Sequence, residues 1–314
     1  MTTWRTVFMG TPAFACPILE ALLARPDPVV AVVCQPDRAR GRGLAVSAPE
    51  VKRLAQQRGL SVLQPERLKD STFQETLRGL APDVIVVAAY GKILPPAVLA
   101  LPPHGCVNVH ASLLPRHRGA APIARAIMAG DPVTGVTIMM MNEAMDEGDI
   151  VLRRETPIAP DETGGSLTAR LAALGAETIG PALDGLRAGT LRPTPQPTTG
   201  VTYAPRIEPR HCRLDWSRAA VELERQVRAL APAPSAFTTL DGRRLKIHRA
   251  GVAAHPAGDE PGRVLAAGPG GLVVGTGSGA LALLELQPEG RRRMTAAEFL
   301  AGHRVAPGAC LGAP

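Results

Sequence analysis

Asn108 and His110 stand two residues apart in Cys106-Val107-Asn108-Val109-His110, a run that reads as a β-strand. Residues two apart on a strand project from the same face, so a carboxamide and an imidazole arrive side by side. A hydrogen-bond donor next to a group that can hold or release a proton suits a reaction in which an oxygen becomes negative while a proton moves. A carboxylate within reach of His110 would favour the protonated ring. The stretch Met145-Asp146-Glu147-Gly148-Asp149 offers Asp146, with Asp149 a rival by position alone. Spacing also allows a blander reading. Asn and His at a strand end can cap backbone groups, and an Asp in a Gly-containing loop commonly shapes a turn.

Other chemistries find less support. Ser112 lacks the G-x-S-x-G elbow of a nucleophilic serine and runs into Leu-Leu-Pro. The first turn, Gly10-Thr11-Pro12-Ala13-Phe14-Ala15, is not G-x-G-x-x-G, and no Walker A sequence occurs, which disfavours a nicotinamide dinucleotide or ATP as the reactant. The cysteines (Cys16, Cys34, Cys106, Cys212, Cys310) are dispersed without a C-x-x-C pair, so neither a disulfide framework nor a zinc site is expected, and no metal is expected at all. Each reads as a small buried hydrophobe.

The elements that must position these residues alternate. Apolar strands at 7–9, 29–34, 60–63, 84–88, 106–109 and 136–141 are interleaved with helical patterns at 14–23, 51–58, 73–80 and 166–186. That rhythm predicts an α/β fold with a mostly parallel, Rossmann-like sheet and helices on both faces. Ligands of such sheets sit beyond the carboxyl ends of the strands. Three loops there carry unusual residues: 35–43, 89–92 and 108–115. The texture then changes. Residues 191–209 contain five prolines and read as a semi-extended linker. One helix at 219–230 and short alternating segments at 237–240, 244–248, 262–266, 272–276 and 280–284 follow, which predict a smaller C-terminal β-barrel of the OB-like kind. The expected division is 1–190, a linker 191–209, and 210–314.

A chain of 314 residues with 45% hydrophobic and 20% charged residues is ordinary for a two-domain globular protein, and 3% aromatics implies an aliphatic core. No apolar stretch is long enough to cross a bilayer and the N-terminus has no signal-peptide layout, so no membrane and a cytoplasmic location are expected, as a monomer. The net charge of +7 divides into +3 over the first 206 residues and +4 over the last 108. A polyanionic partner fits such a balance, although a chain that favours Arg over Lys also gains charge for solubility alone.

The block Asn108-Val109-His110-Ala111-Ser112-Leu113-Leu114-Pro115-Arg116-His117-Arg118-Gly119, with the distal Asp146, resembles the signature of the folate-dependent formyltransferases. Phe8-Met9-Gly10-Thr11-Pro12, the basic loop Gln35-Pro36-Asp37-Arg38 to Gly41-Arg42-Gly43, Gly119-Ala120-Ala121-Pro122-Ile123, Val201-Thr202-Tyr203-Ala204, Leu214-Asp215-Trp216-Ser217 and Leu286-Gln287-Pro288 narrow the resemblance to the methionyl-tRNA formyltransferases. The resemblance implies formyl transfer from the co-substrate 10-formyltetrahydrofolate to the amino group of initiator methionyl-tRNA. It implies Asn108, His110 and Asp146 as the catalytic group. It places Ser112, Leu113, Leu114 and Pro115, with Ala89, Tyr90 and Gly91, around the folate, largely through backbone groups. Arg38, Arg40 and Arg42 would contact the tRNA, and the C-terminal domain would add a diffuse tRNA-binding surface. Alternative acceptors are an amino-sugar nucleotide or glycinamide ribonucleotide, and a non-catalytic RNA-binding protein is the reading from outside enzymology. The chain departs from the family at Ala111, where a Gly is common, at His117, often an aromatic, at Leu44-Ala45, commonly lysines, and around Ala233, where Phe and Trp are missing.

Overall fold

The structure, a computed structural model, describes residues 3–40, 45–254, 260–268 and 271–312. In chain order the first part forms β1 (Thr6–Gly10), α1 (Cys16–Leu23), β2 (Val29–Val33), the short pair β3 (Arg38–Arg40) and β4 (Ala45–Ser47), α2 (Glu50–Gln57), β5 (Val62–Leu63), α3 (Ser71–Gly79), β6 (Val84–Ala88), α4 (Pro96–Leu99), β7 (Cys106–His110), α5 (Pro122–Ala129), β8 (Val133–Met140), β9 (Ile150–Pro157) and α6 (Gly164–Ala188). Seven strands make one sheet in the order β5-β2-β1-β6-β7-β8-β9. The first five run parallel, and β8 and β9 are antiparallel additions.

β1, β6 and β7 are buried along their whole length. Uninterrupted apolar strands of this kind need cover on both faces, and both faces have it. Cys106 packs with Ile85, Val87, Phe73 and Leu77 of α3, and Val98 of α4. On the other face Gly175 of α6 comes so near that a methyl group there would lie 3.0 Å from Val109 and 3.4 Å from Ile18 of α1. Asn108 and His110 therefore stand at the carboxyl end of a central strand, with β6 beside them in register Val87↔Asn108.

The last part contains α7 (Ala220–Leu230), β10 (Ala236–Leu240), β11 (Arg243–Ala253), β12 (Val264–Gly268), β13 (Gly271–Gly275), β14 (Ala280–Pro288), β15 (Met294–Thr295) and α8 (Ala296–Gly302). The strands pair antiparallel in the order β10-β11-β14-β13-β12, with β15 on β14. Among the described residues no ladder returns from β12 to β10, so the expected barrel is observed as an antiparallel sheet of six strands. Its core is aliphatic around Leu223, Val227, Leu230, Ile247, Leu272, Leu283 and Leu286, with Trp216 and Phe299 as its large aromatics. The Trp216 indole N–H donates to Thr238 Oγ1 at 3.1 Å, so its polar edge is satisfied inside that core. The chain separates into two compact units. One is Met1–Pro122, Val133–Pro157 and Thr168–Pro205; the other is Ile123–Pro132, Ile158–Leu167 and Arg206–Pro314.

β9 is an element the sequence reading lacks. Its residues Arg153, Arg154 and Glu155 are exposed, and it forms the edge of the sheet. Charges along an edge strand blunt strand-to-strand aggregation, and they also erase the apolar alternation by which a strand is recognised. No helix of the described residues is long and apolar enough to cross a membrane.

Candidate active site

The site is built on the end of β7 and on two loops that fold back to it. His110 is buried, with Nε2 3.0 Å from the carbonyl oxygen of His117. A carbonyl only accepts, so Nε2 carries the proton and donates it. Nδ1 then faces the Asp146 carboxylate at 3.6 Å, an ion-pair separation rather than a hydrogen bond. The Asp146 Oδ2 atom is itself fixed by the backbone N–H of Gly119 at 2.8 Å. His110 can thus receive a proton on Nδ1 beside a carboxylate already held in place. Asp149 is exposed, and its backbone carbonyl accepts from Met140 N at 2.8 Å, so the two candidate carboxylates separate by geometry.

Asn108 is 9% exposed, and its side-chain amide has no hydrogen-bond partner among the described residues. A nearly buried amide without a partner among the described residues, on the same strand face as His110, leaves a hydrogen-bond donor available there.

Two backbone conformations hold this arrangement. His117 has φ +57° and Asp146 φ +55°, the left-handed region that few L residues other than Asn, Asp and His adopt. At His117 the turn aims its carbonyl at His110, and the conformation is tied down by His117 N donating to Thr202 Oγ1 at 2.8 Å. This part of the Pro-rich stretch is extended, as its composition predicts, and it is paired rather than free: Arg118 N donates to Thr202 O at 2.9 Å and Ala204 N to Arg118 O at 2.7 Å.

The residues expected around a folate divide into two groups. Ser112 is fully buried; its hydroxyl donates to Arg116 O at 2.6 Å and its carbonyl accepts from Thr137 Oγ1 at 2.7 Å. Leu114 is likewise buried, with its N–H on Thr137 Oγ1 at 3.1 Å and its carbonyl on Arg153 Nη1 at 3.1 Å. Both shape the turn after β7 through these hydrogen bonds. Tyr90 is buried as well. Its ring lies in the sheet core beside Val87 and Leu94, and its carbonyl takes Thr11 Oγ1 at 3.0 Å and Gln35 Nε2 at 2.9 Å. Burial pushes its phenol well above the ordinary range. Ala89 and Gly91 are exposed at the end of β6, with φ +46° and +83°, and Leu113 is half-buried; these can still face a ligand. Of the basic loop, Arg38 is exposed, while Arg42 lies outside the described residues and only the backbone of Arg40 is described.

Cys106, two residues before Asn108, is 1% exposed, and burial pushes its thiol up to about 12. A thiol held protonated is neither nucleophile nor metal ligand. Cys106→Ala should keep turnover within about twofold and lower stability by about 1 kcal/mol, as small cavity-forming changes do; turnover assays and thermal melts check both. Among the described residues no group of three or more His, Cys, Asp or Glu is placed to hold a metal ion.

Several participants carried no sequence signal of their own. Gly119 and Arg118 sit inside the block of the resemblance, and Thr202 inside its segment 201–204, without a stated role; Thr137 and Gln196 lie outside every segment that carries the resemblance.

The formyl transferase family model matches residues 4–183 and the formyl transferase C-terminal domain model matches 206–304. A methionyl-tRNA formyltransferase of Myxococcus xanthus is 54% identical over 308 residues, covering 98% of this chain and 98% of that protein. Among solved structures, HypX from Aquifex aeolicus in complex with tetrahydrofolic acid superposes with a TM-score of 0.65 at 20% identity over 95% of this chain, which spans 47% of that protein. WlaRD, a sugar 3N-formyl transferase solved in the presence of dTDP and 5-N-formyl-THF, superposes with a TM-score of 0.67 at 14% identity, covering 93% of this chain and all of that one. These two likenesses share the fold. The match to the Myxococcus protein runs through both domains at more than half identity, and with it the chain belongs to the methionyl-tRNA formyltransferase family.

Proposed function

We propose that this chain transfers the formyl group of 10-formyltetrahydrofolate to the amino group of methionine on initiator methionyl-tRNA, with Asn108, His110 and Asp146 as its catalytic group. The reading rests on the His110 geometry: one ring nitrogen occupied by the His117 carbonyl, the other turned to Asp146 at 3.6 Å. The methionyl amine attacks the formyl carbon and forms the new C–N bond. The formyl oxygen becomes negative, and the Asn108 amide is the donor free to stabilise it. His110 Nδ1 takes the proton that the amine loses, and Asp146 stabilises the imidazolium so formed. The oxyanion then re-forms the carbonyl as the bond from formyl carbon to folate nitrogen breaks, and that nitrogen receives the proton held on His110, giving tetrahydrofolate and formylmethionyl-tRNA. Exposed backbone at Ala89 and Gly91, together with Leu113, forms the side of the folate site next to β7.

The deciding experiment is formyl transfer from 10-formyltetrahydrofolate to charged initiator tRNA, with uncharged tRNA and a UDP-amino-sugar as controls. Transfer to the sugar and none to charged tRNA would overturn the acceptor assignment. The chain acts in the cytoplasm in this reading, as a monomer.

The arginines of the basic loop, Arg38, Arg40 and Arg42, serve the tRNA. Arg42→Ala should raise KM for tRNA and leave KM for the folate about constant. It should also flatten the log–log salt dependence of tRNA binding by up to about one unit, the share of one phosphate contact. An unchanged salt slope with weakened folate binding would assign the loop to the folate instead.

A further inference from the structure

We infer that Gln196, in the Pro-rich stretch, is a positioning residue that holds Asp146 against His110; the inference rests on the catalytic reading of Asp146 given above. Its side-chain amide is used at both ends. Nε2 donates to the carbonyls of Asp146 at 2.7 Å and Gly148 at 2.9 Å. Oε1 accepts from Arg118 Nε at 3.1 Å and Nη2 at 2.8 Å. The remaining nitrogen of Arg118, Nη1, pairs with Glu147 at 2.9 Å, where the Arg118 side chain is 9% exposed. Three consecutive loop residues, 146, 147 and 148, are thus gripped by one amide and one guanidinium.

The grip acts on the conformation that matters. Asp146 holds φ +55°, a geometry that persists where surrounding contacts over-determine it. Gln196 fixes its carbonyl from one side while Gly119 N fixes its carboxylate from the other. The sequence around Gln196 explains why a side chain does this work. Pro195 and Pro197 flank it and have no N–H to offer a neighbouring loop. A glutamine carboxamide carries the donors and acceptor of a peptide unit, so it replaces the missing backbone rungs. Just before it, Thr194 exchanges both backbone hydrogen bonds with Ile150, which sets the stretch in register with the loop.

The test uses the full chain with Gln196→Met, Gln196→Glu, Asp146→Asn and the Gln196→Met/Asp146→Asn double variant, each measured for kcat, both KM values and Tm. Gln196→Met should lower kcat about 10- to 100-fold, the scale of a sub-ångström to ångström misplacement, with both KM values within about twofold and little change in Tm. Gln196→Glu keeps the Arg118 partner but sets a carboxylate oxygen against two carbonyls, and should fall as far. In the Asp146→Asn background, Gln196→Met should cost nothing further in kcat, because residues acting as a unit are not additive. An equal loss in that background, a change confined to KM, or a Gln196→Glu enzyme with normal kcat would each overturn the inference. An Asp146→Asn enzyme with normal kcat would instead overturn the catalytic reading beneath it.

Discussion

His110→Ala lowers kcat for formyl transfer by about 10²–10⁴-fold, the range that positioned acid–base groups contribute. The physical basis is specific to one nitrogen. The His117 carbonyl takes the Nε2–H, so only Nδ1 is available for a travelling proton, and Asp146 stands 3.6 Å from it. The companion substitution is Asp146→Asn rather than Asp146→Ala. Asn tolerates φ +55° and its carbonyl oxygen can still accept from Gly119 N, so the loop keeps its shape while the charge is lost. A loss of about 10²-fold or more in kcat with KM little changed is expected for each, and Tm should move by no more than about 2–4 °C, roughly 1 kcal/mol in a chain of this size. Asp149→Ala should be close to wild type, since Asp149 is exposed and bonds Met140 through its backbone carbonyl. Near-normal turnover in both His110→Ala and Asp146→Asn would sink the assignment; a dead Asp149→Ala with an active Asp146→Asn would move it to the other carboxylate.

Sequence and structure agree where the chemistry is local. Asn108 and His110 lie two apart on a strand, so their common face follows from the pleat, and the β-branched run 84–88 marks its neighbouring strand as buried. Asp146 could be proposed because it follows β8, but its distance from His110 depends on two separate loops, each turning back at a left-handed residue, His117 and Asp146, and the sequence alone does not place those turns. The supporting contacts were less legible still. Thr202 and Gln196 lie in a stretch whose prolines announce an extended chain and hide that it is paired with residues 118 and 150. Tyr90 shows how burial escapes the sequence: a tyrosine in a loop at a strand end reads as exposed, yet the following Leu94 and Val98 draw its ring into the core. Ser112 and Leu114 lie in the turn after β7, and their polar groups tie it to Arg116 within the turn, to Thr137 on β8 and to Arg153 on β9, partners that no local pattern reveals.

Gly148→Ala should cost nearly as much catalysis as losing the Asp146 charge. Gly148 is buried, and a Cβ built on it would lie 1.8 Å from the carbonyl oxygen of Met140 and 2.9 Å from its carbon, both backbone atoms. Such a contact cannot be relieved by turning a side chain, so a segment of main chain must shift. β8 is ladder-bonded on both sides, to β7 and to β9, and resists. The loop 146–148 is held by the side chains of Gln196 and Arg118 and the N–H of Gly119 rather than by a strand ladder, so it yields first, carrying Asp146 away from His110. A displacement of this order near reacting groups costs about 10²-fold in kcat, and the overpacking itself costs about 1–3 kcal/mol of stability. Gly79→Ala is the matched control: it lies in α3, and apart from its chain neighbours and its own helix backbone nothing lies within 4 Å of the added carbon, and alanine is the better helix former, so activity and Tm should hold or rise. Combining Gly148→Ala with Asp146→Asn should lower kcat no further than Asp146→Asn alone. A folded Gly148→Ala enzyme with wild-type kcat would show that the loop accommodates the methyl without moving Asp146, and that the 3.6 Å pairing does not depend on the tight passage beneath it.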